Sequence, residues 1–470
     1  MSGYKVSKVC CIGAGYVGGP TMIVFANKCP NIQFKVVDLN KSRIDAWNSE
    51  DYTKLPIYEP GLDKLLKNCR NRNLFFSIDI DSAISEADMI FISVNTPTKE
   101  KGIGAGKASD LKWIEASARQ ISELAKGHTI VVEKSTLPVR TAETIKKILD
   151  SSNHHFYKEE NIKTFSVLSN PEFLSEGNAV KDLESPDRVL IGGEDEKAID
   201  ALQDLYINWI PKKRVIRTNL WSSELSKLVS NAFLAQRISS INSISALCEE
   251  TGADIKQVSL AVGTDSRIGE KFLNPSPGFG GSCFQKDILN LIYLCEFYKL
   301  DEVASYWQSV LNINDWQKLR ISKIVVNKLF GNISDKKISI LGFAFKANTN
   351  DTRNSPCINI CNDLIEEGAN LSIYDPKVDS DQIAKDLNLN CREKGKDKGS
   401  WEFCNSLEES AYNSHAILVL TEWDEFKNID WEKIYKIMKK PCWLFDTRFC
   451  TTSKTLLKIG FNYWSLGSQK

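Results

Sequence analysis

The run Gly278-Phe279-Gly280-Gly281-Ser282-Cys283-Phe284-Gln285-Lys286-Asp287 places a thiol two residues after the last of three glycines. Glycine lets the backbone turn tightly and approach a ligand with no Cβ in the way. The stretch from Gln285 to Tyr298 reads as a helix, so Cys283 falls near its N-terminus, where the helix dipole favours thiolate over thiol. A thiolate is both a strong nucleophile and a competent leaving group, as a covalent acyl intermediate requires. Asp287 follows four residues on and so shares a helical face with Cys283.

A second chemical signature stands at the N-terminus. The apolar strand Lys8 to Ile12 runs into Gly13-Ala14-Gly15-Tyr16-Val17-Gly18-Gly19, a G-x-G-x-x-G that follows a strand and opens a helix. A second strand, Phe34 to Val37, ends at Asp38, 20 residues after Gly18. Backbone N–H groups from Gly13 to Gly18 are expected to hold a pyrophosphate, and Asp38 to accept from the adenosine ribose while repelling a 2′-phosphate. The expected cofactor is NAD rather than NADP. A reactive thiolate in the same chain as a nicotinamide site implies oxidation through a covalent thioester.

Other chemistries are poorly supported. Only four histidines occur, at 128, 154, 155 and 415, and none lies in a metal-binding pattern. The 13 cysteines are scattered, and neither Cys10-Cys11 nor Cys357 with Cys361 has zinc spacing, so reduced thiols and no metal are expected. Sixty basic residues balance sixty acidic ones, which argues against nucleic acid as a partner. No apolar stretch approaches 18 residues and no cleavable leader is legible, so a soluble cytoplasmic protein is expected.

The elements that must position these groups fall into three zones of an α/β chain. From 1 to 215, β-branched runs alternate with amphipathic stretches, the rhythm of a doubly wound parallel sheet. Met89–Val94, Thr129–Glu133 and Phe165–Leu168 read as strands ending at Asn95, Lys134 and Ser169, where ligands of such sheets bind. From 216 to 325 no convincing strand appears. Trp221 to Glu250 carries apolar residues at helical spacing over a length that suits a spine and a subunit interface. Lys227 and Asn231 lie four apart on it and project from one face. From 326 to 470 the first zone repeats in outline: Lys336–Gly342, Asn370–Asp375 and Ala416–Thr421 read as strands of a second Rossmann-like sheet with no full glycine fingerprint. The polar stretch from Asp379 to Ser410 reads as a surface excursion.

Together these motifs resemble the UDP-glucose 6-dehydrogenases, within the nucleotide-sugar dehydrogenases. The resemblance rests on GAGYVGG at 13–19, FISVNTPT at 91–98, EKSTLPVR at 133–140, SNPEFLSEG at 169–177 and ELSKLVSNAFLAQRISSINS at 224–243. GFGGSCFQKD at 278–287, GFAFKANTNDTR at 342–353 and YDPK at 374–377 complete it. The wording of the central helix and cysteine loop looks like the animal-type enzymes, although the long basic tail of some of those is not seen. The resemblance implies oxidation of UDP-glucose at C6 to the carboxylate with two NAD in succession. Cys283 would then carry a thiohemiacetal and a thioester. Lys227 and Asn231 would stabilise oxyanions, Glu172 would activate the hydrolytic water, and Thr136 and Asp287 would organise it.

For the cofactor, the resemblance adds Arg43, Val94, Asn95, Thr96, Pro97, Thr98, Ser135, Thr136, Glu176, Lys286 and Arg353 to the glycine turn and Asp38. For the sugar nucleotide it implies Glu172, Phe173, Leu174, Glu176, Lys227, Asn231, Arg267, Phe272, Leu273, Asn274, Phe279, Gly280, Phe345, Lys346 and Arg448. Asn274 stands where animal-type relatives often carry a lysine or another polar residue, and Pro275 and Pro277 stiffen its loop. Arg267 resembles an arginine contributed across a dimer, which implies a homodimer on the helical zone and possible assembly into a hexamer. Two alternatives stay open: a dehydrogenase of GDP-mannose or a UDP-N-acetylhexosamine, and an inactive nucleotide-sugar-binding scaffold.

Overall fold

Apolar runs without polar alternation become strands covered on both faces. In the first part of the chain these are β1 (Lys8–Ile12), β2 (Gln33–Val37), β3 (Leu74–Ser77), β4 (Met89–Ile92), β5 (His128–Glu133), β6 (Thr164–Ser169), β7 (Val189–Gly192) and β8 (Val215–Thr218). The molecule is described here by a computed structural model covering residues 4–136, 138–151, 163–393 and 398–468. Leu137 of the EKSTLPVR run, together with His154 and His155, lies outside them.

These strands form one sheet in the order β3-β2-β1-β4-β5-β6-β7-β8. All neighbours are parallel except β6 and β7, which meet antiparallel through Ser169 and Gly192. The chain between them is largely loop, with one short helix, Ala179–Glu184. β8 continues the sheet from Val215 to Thr218, across the boundary into a zone where the sequence pattern shows no strand. It is a short edge strand with no buried residue, so no hydrophobic run announces it. Strand order reverses between β1 and β4, and the glycine turn follows β1 at that switch point. Phe25, fully buried on the helix Gly18–Lys28, meets Phe34, Phe91, Tyr206 and Trp209 with ring centroids 5.0–6.3 Å apart. Burial of one such ring contributes on the order of 2–3 kcal/mol.

A second sheet has the order β11-β10-β9-β12-β13-β14, with β9 (Lys337–Leu341), β10 (Asn370–Tyr374), β11 (Ser400–Phe403), β12 (Ala416–Val419), β13 (Trp443–Asp446) and β14 (Asn462–Ser465). Every pair in it is parallel. The stretch 379–410 is not the surface excursion its polarity predicts. It contains the helix Ser380–Leu387 and the edge strand β11, and buries Ile383, Leu387 and Trp401. Few apolar residues suffice there because an edge strand needs cover only on its inner side. Residues 394–397 of that stretch lie outside the described residues.

The helix Leu220–Thr251 is the longest element, as its periodicity predicts. Compact units divide at Ser230, within this helix: Met1–Ser230 and Asn231–Lys470. In the first unit, Leu220 joins the core beneath β1 and β5. In the second, Ala232 and Ala235 pack on the helices Phe284–Phe297 and Asp301–Lys328.

Candidate active site

In the first unit the glycine turn is shaped by close packing on one side and space on the other. Gly13 has φ +107°, and a Cβ there would lie 2.4 Å from Ser93 O; a Cβ on Gly18 would lie 2.0 Å from Gly13 O. A Cβ on Gly15 would meet nothing within 4 Å. The backbone is thus open where a pyrophosphate has to approach, and the residues present fit NAD. Asp38 accepts from Ala14 N at 2.9 Å and Asn40 N at 2.8 Å, so the acid ties the turn to the end of β2. Arg43 lies against the same carboxylate at 3.0 Å. Ser135 Oγ donates to Val94 O at 2.7 Å and Thr96 Oγ1 to Thr136 O at 3.1 Å, joining the loops after β4 and β5. Val94, Asn95, Thr96, Pro97 and Thr98 all follow the C-terminal end of β4.

The loops after β5 and β6 bring Thr136 and Glu172 to Lys227 on the long helix. Lys227 Nζ lies 3.2 Å from Glu172 Oε1, with side chains only 4% and 7% exposed. Thr136 Oγ1 donates to the same oxygen at 3.5 Å, and Leu174 N donates to Glu172 Oε2 at 2.7 Å. Burial pushes the Glu172 carboxyl up, but the Lys227 charge, the Leu174 amide and the Lys134 charge outweigh it and hold it below its ordinary value. The Glu172 carboxyl is therefore held toward its anionic, proton-accepting form although it is buried. Phe173 packs beneath two cations, with Arg188 3.8 Å and Lys227 5.4 Å from its ring centroid.

Two carboxyls that sequence reasoning missed hold this region in place. Glu59 accepts from Gly177 N at 2.7 Å and Ala179 N at 3.0 Å, which fixes the loop carrying Glu176. Glu224 accepts from Arg140 N and Ala142 N, both at 2.7 Å, at the start of the helix Thr141–Ser151. Burial, and then the charge and hydrogen bond of Glu224, push the Glu133 carboxyl well above its ordinary value. Charged residues are ordinarily solvated, so nothing in the sequence marks these two as buried.

In the second unit Cys283 is the N-cap of the helix Phe284–Phe297, half-buried, with its Sγ 3.4 Å from Ser282 Oγ. Asp287 is buried one turn on: its N–H donates to Cys283 O at 2.9 Å and its carboxylate accepts from Asn231 Nδ2 at 2.6 Å. Lys286 Nζ lies 3.8 Å from the same carboxylate. The loop before the cysteine is pinned by buried amides. Asn314 accepts from Phe279 N at 2.8 Å and donates to Phe279 O at 3.2 Å. Asn242 accepts from Ser276 N at 2.8 Å, and Gln317 donates to Ser276 O at 3.0 Å. Gly281 N donates to Arg353 O at 2.8 Å, and Cβ atoms on Gly280 and Gly281 would strike Asn354 O and the Phe345 ring. A Cβ on Gly278 would likewise crowd the Asn314 side chain, so all three glycines answer to close packing, Gly280 against backbone and the other two against side chains.

The predicted sugar-side residues fare unevenly. Phe272 takes a left-handed φ of 62°, and its ring lies 6.5 Å from that of Phe284. Leu273 is buried and Asn274 exposed in the turn between. Arg448 donates to Leu420 O at 2.8 Å and Phe345 O at 3.1 Å and pairs with Glu422 at 3.1 Å, which places it at the ends of β9 and β12. Lys346 lies 5.5 Å from the Phe345 ring centroid. Arg353 is bound to Asp351 at 2.7 Å. Arg267 reaches no other candidate residue; it pairs with Asp265 two residues away and is 87% exposed. Among the described residues no cluster of three or more His, Cys, Asp or Glu is placed to hold a metal ion.

Comparison with known proteins gives the same picture along the whole length. Residues 7–210 match the NAD binding domain of the UDP-glucose/GDP-mannose dehydrogenase family, 221–316 its central domain and 339–453 its UDP binding domain. UDP-glucose 6-dehydrogenase 1 of Glycine max is 55% identical, and UDP-glucose 6-dehydrogenase 2 of Arabidopsis thaliana 54%, each over 98% of this chain and 97% of the relative. These relatives are plant enzymes rather than animal ones. Among solved structures, a UDP-glucose dehydrogenase from Pyrobaculum islandicum superposes with a TM-score of 0.82 at 27% identity, covering 97% of this chain and 98% of the other. A UDP-D-ManNAc dehydrogenase from Pyrococcus horikoshii gives 0.81 at 25% identity, over 98% and 99%.

Proposed function

This chain belongs to the UDP-glucose/GDP-mannose dehydrogenase family, and from that premise we propose how its residues carry the NAD-dependent oxidation of UDP-glucose at C6 to UDP-glucuronate. The choice of UDP-glucose is supported by 54–55% identity to curated UDP-glucose 6-dehydrogenases over nearly the full chain. When bound, NAD accepts a hydride from C6 in each of two oxidations. Gly13, Gly15, Tyr16, Val17 and Gly18 would hold its pyrophosphate, and Asp38 would meet its adenosine ribose.

Cys283 Sγ adds to C6 at the aldehyde level to give a thiohemiacetal. After the second oxidation the same sulfur holds a thioester, and water releases the carboxylate and returns the thiol. Lys227 and Asn231, one turn apart on the long helix, donate to the C6 oxygen as it gains charge. Glu172 takes the proton of the attacking water, while Thr136 and Asp287 fix its direction. The observation that carries this mechanism is the buried Lys227–Glu172 pair, which supplies an ammonium donor and an anionic base within 3.2 Å of each other. Mixing the protein with NAD and a panel of nucleotide sugars tests the reading. NADH should form fastest with UDP-glucose; faster turnover of GDP-mannose or a UDP-N-acetylhexosamine would reassign the substrate.

We further propose three domains, at 1–215, 216–325 and 326–470, a division the three family segments support. A cytoplasmic location is proposed on the same footing: among the described residues no helix is long and apolar enough to cross a membrane. A homodimer on the helical zone is supported by exposed Phe233, Leu247 and Leu260, and by Arg267 extending into solvent. Each Arg267 would complete the partner's sugar site, and dimers would associate into hexamers. Mixing Arg267→Ala with Cys283→Ser, each nearly inactive, should then restore activity as subunits exchange, because mixed dimers contain one intact site. No recovery despite measured exchange would place Arg267 in its own chain's site.

A further inference from the structure

Lys134 has no role in the reaction as assigned so far. It stands just beyond β5, only 3% exposed, and its ammonium donates to Asn170 Oδ1 at 2.9 Å and Tyr206 Oη at 3.0 Å. Tyr206 Oη donates to the same Asn170 oxygen at 2.6 Å, and Asn170 Nδ2 donates to Leu190 O at 2.8 Å. This network joins the exit of β5, the exit of β6, the strand β7 and the helix Glu196–Tyr206. Asn170 lies two residues before Glu172 in the loop that leaves β6.

Asn170 and Tyr206 are neutral acceptors, and a buried ammonium with neutral acceptors alone tends to shed its proton. Burial does pull its pKa down, to about 8, but the charge of Glu172 opposes that fall. The other titratable groups facing it are Lys227 from the long helix, which depresses it further, Cys11 from β1 and Tyr206. Burial pushes the Cys11 thiol up to about 12 and raises the Tyr206 hydroxyl as well, so both stay neutral and neither supplies a counter-charge near pH 7. Glu172 therefore lies in the field of two ammonium groups, one in contact and one held behind the loop. A purely structural plug at this position would be better served by an uncharged side chain, because a buried charge lowers stability unless something uses it.

We propose that Lys134 is a positioning residue for thioester hydrolysis: through Asn170 and Tyr206 its ammonium fixes the loop that aims Glu172, and its charge adds to that of Lys227 beside the carboxylate. This rests on the assignment of Glu172 as the base. The test is the pH dependence of thioester hydrolysis in wild type, Lys134→Gln, Lys134→Met and Glu172→Gln. Removing a nearby positive charge raises a carboxyl pKa, so the acid limb of both Lys134 variants should move to higher pH by about half a unit or more. Lys134→Gln, which still donates to Asn170 and Tyr206, should keep more of the neutral-pH rate than Lys134→Met, and it decides the matter if the methionine variant does not fold. A folded Lys134→Gln enzyme whose acid limb coincides with wild type would overturn the proposal, even if its rate were reduced. Glu172→Gln hydrolysing at the wild-type rate would instead overturn the base assignment, and the two failures are told apart by which variant shows them.

Discussion

Replacement of Cys283 by serine is expected to cut UDP-glucose turnover by roughly 10³-fold or more, with UDP-glucose and NAD still bound. The fold should tolerate the change, because Cys283 is the N-cap of its helix and serine is a preferred residue there. What is lost is the proposed nucleophile: a serine hydroxyl is not ionised near neutral pH, and no histidine lies in its sequence neighbourhood to deprotonate it. In the wild-type enzyme the thioester route requires two NADH per UDP-glucose and no free aldehyde, which absorbance at 340 nm and carbonyl trapping measure together. A ratio of one with aldehyde in solution would exclude the thioester. Near-normal turnover in Cys283→Ser would place the nucleophile elsewhere.

Glu172→Gln is expected to slow thioester hydrolysis by about 10²- to 10⁴-fold and to leave the oxidations less affected. Its signature is accumulation: acid-quenched protein should carry a UDP-glucuronyl group on Cys283, visible by intact mass and absent when Cys283→Ser is added. The amide retains the shape of the carboxylate and can still accept from Leu174 N. It removes the charge beside Lys227, and stranding a buried ammonium costs about 3–5 kcal/mol, so a lowered melting temperature should accompany the kinetic defect. In the wild type, Glu172 is in its base form above its depressed pKa. Hydrolysis should therefore hold through neutral pH and fail only as the pH drops through that low value. Rapid hydrolysis with no adduct in Glu172→Gln would remove it from the role of base.

The mechanism depends on burial that local sequence does not announce. Lys227 and Asn231 are visible as a pair because the helical repeat alone puts residues four apart on one face. Their partners are a different matter. Glu172 comes to Lys227 from a loop 55 residues earlier in the chain, and Asp287 to Asn231 from a helix 56 residues later. Asn314, which holds both polar groups of the Phe279 backbone, is one amide among many on an otherwise ordinary helix.

What the sequence by itself determined was everything governed by short-range geometry. Strand, glycine turn, helix and acid follow one another from Lys8 to Asp38, so the glycine turn and Asp38 were legible before any tertiary contact was known. The placement of Cys283 at a helix start was legible for the same reason, as were the long helix and the strands whose apolar runs are unbroken. Tertiary structure decided which polar residues leave water. Nothing in the local sequence marks Lys134, Glu133 and Glu224 as leaving water, yet all three are buried, and the polar stretch 379–410 supplies an edge strand and a buried tryptophan. The physical reason is that a charge can be buried only where a distant part of the chain brings a partner or a backbone N–H to it, and no local pattern encodes where that part will be.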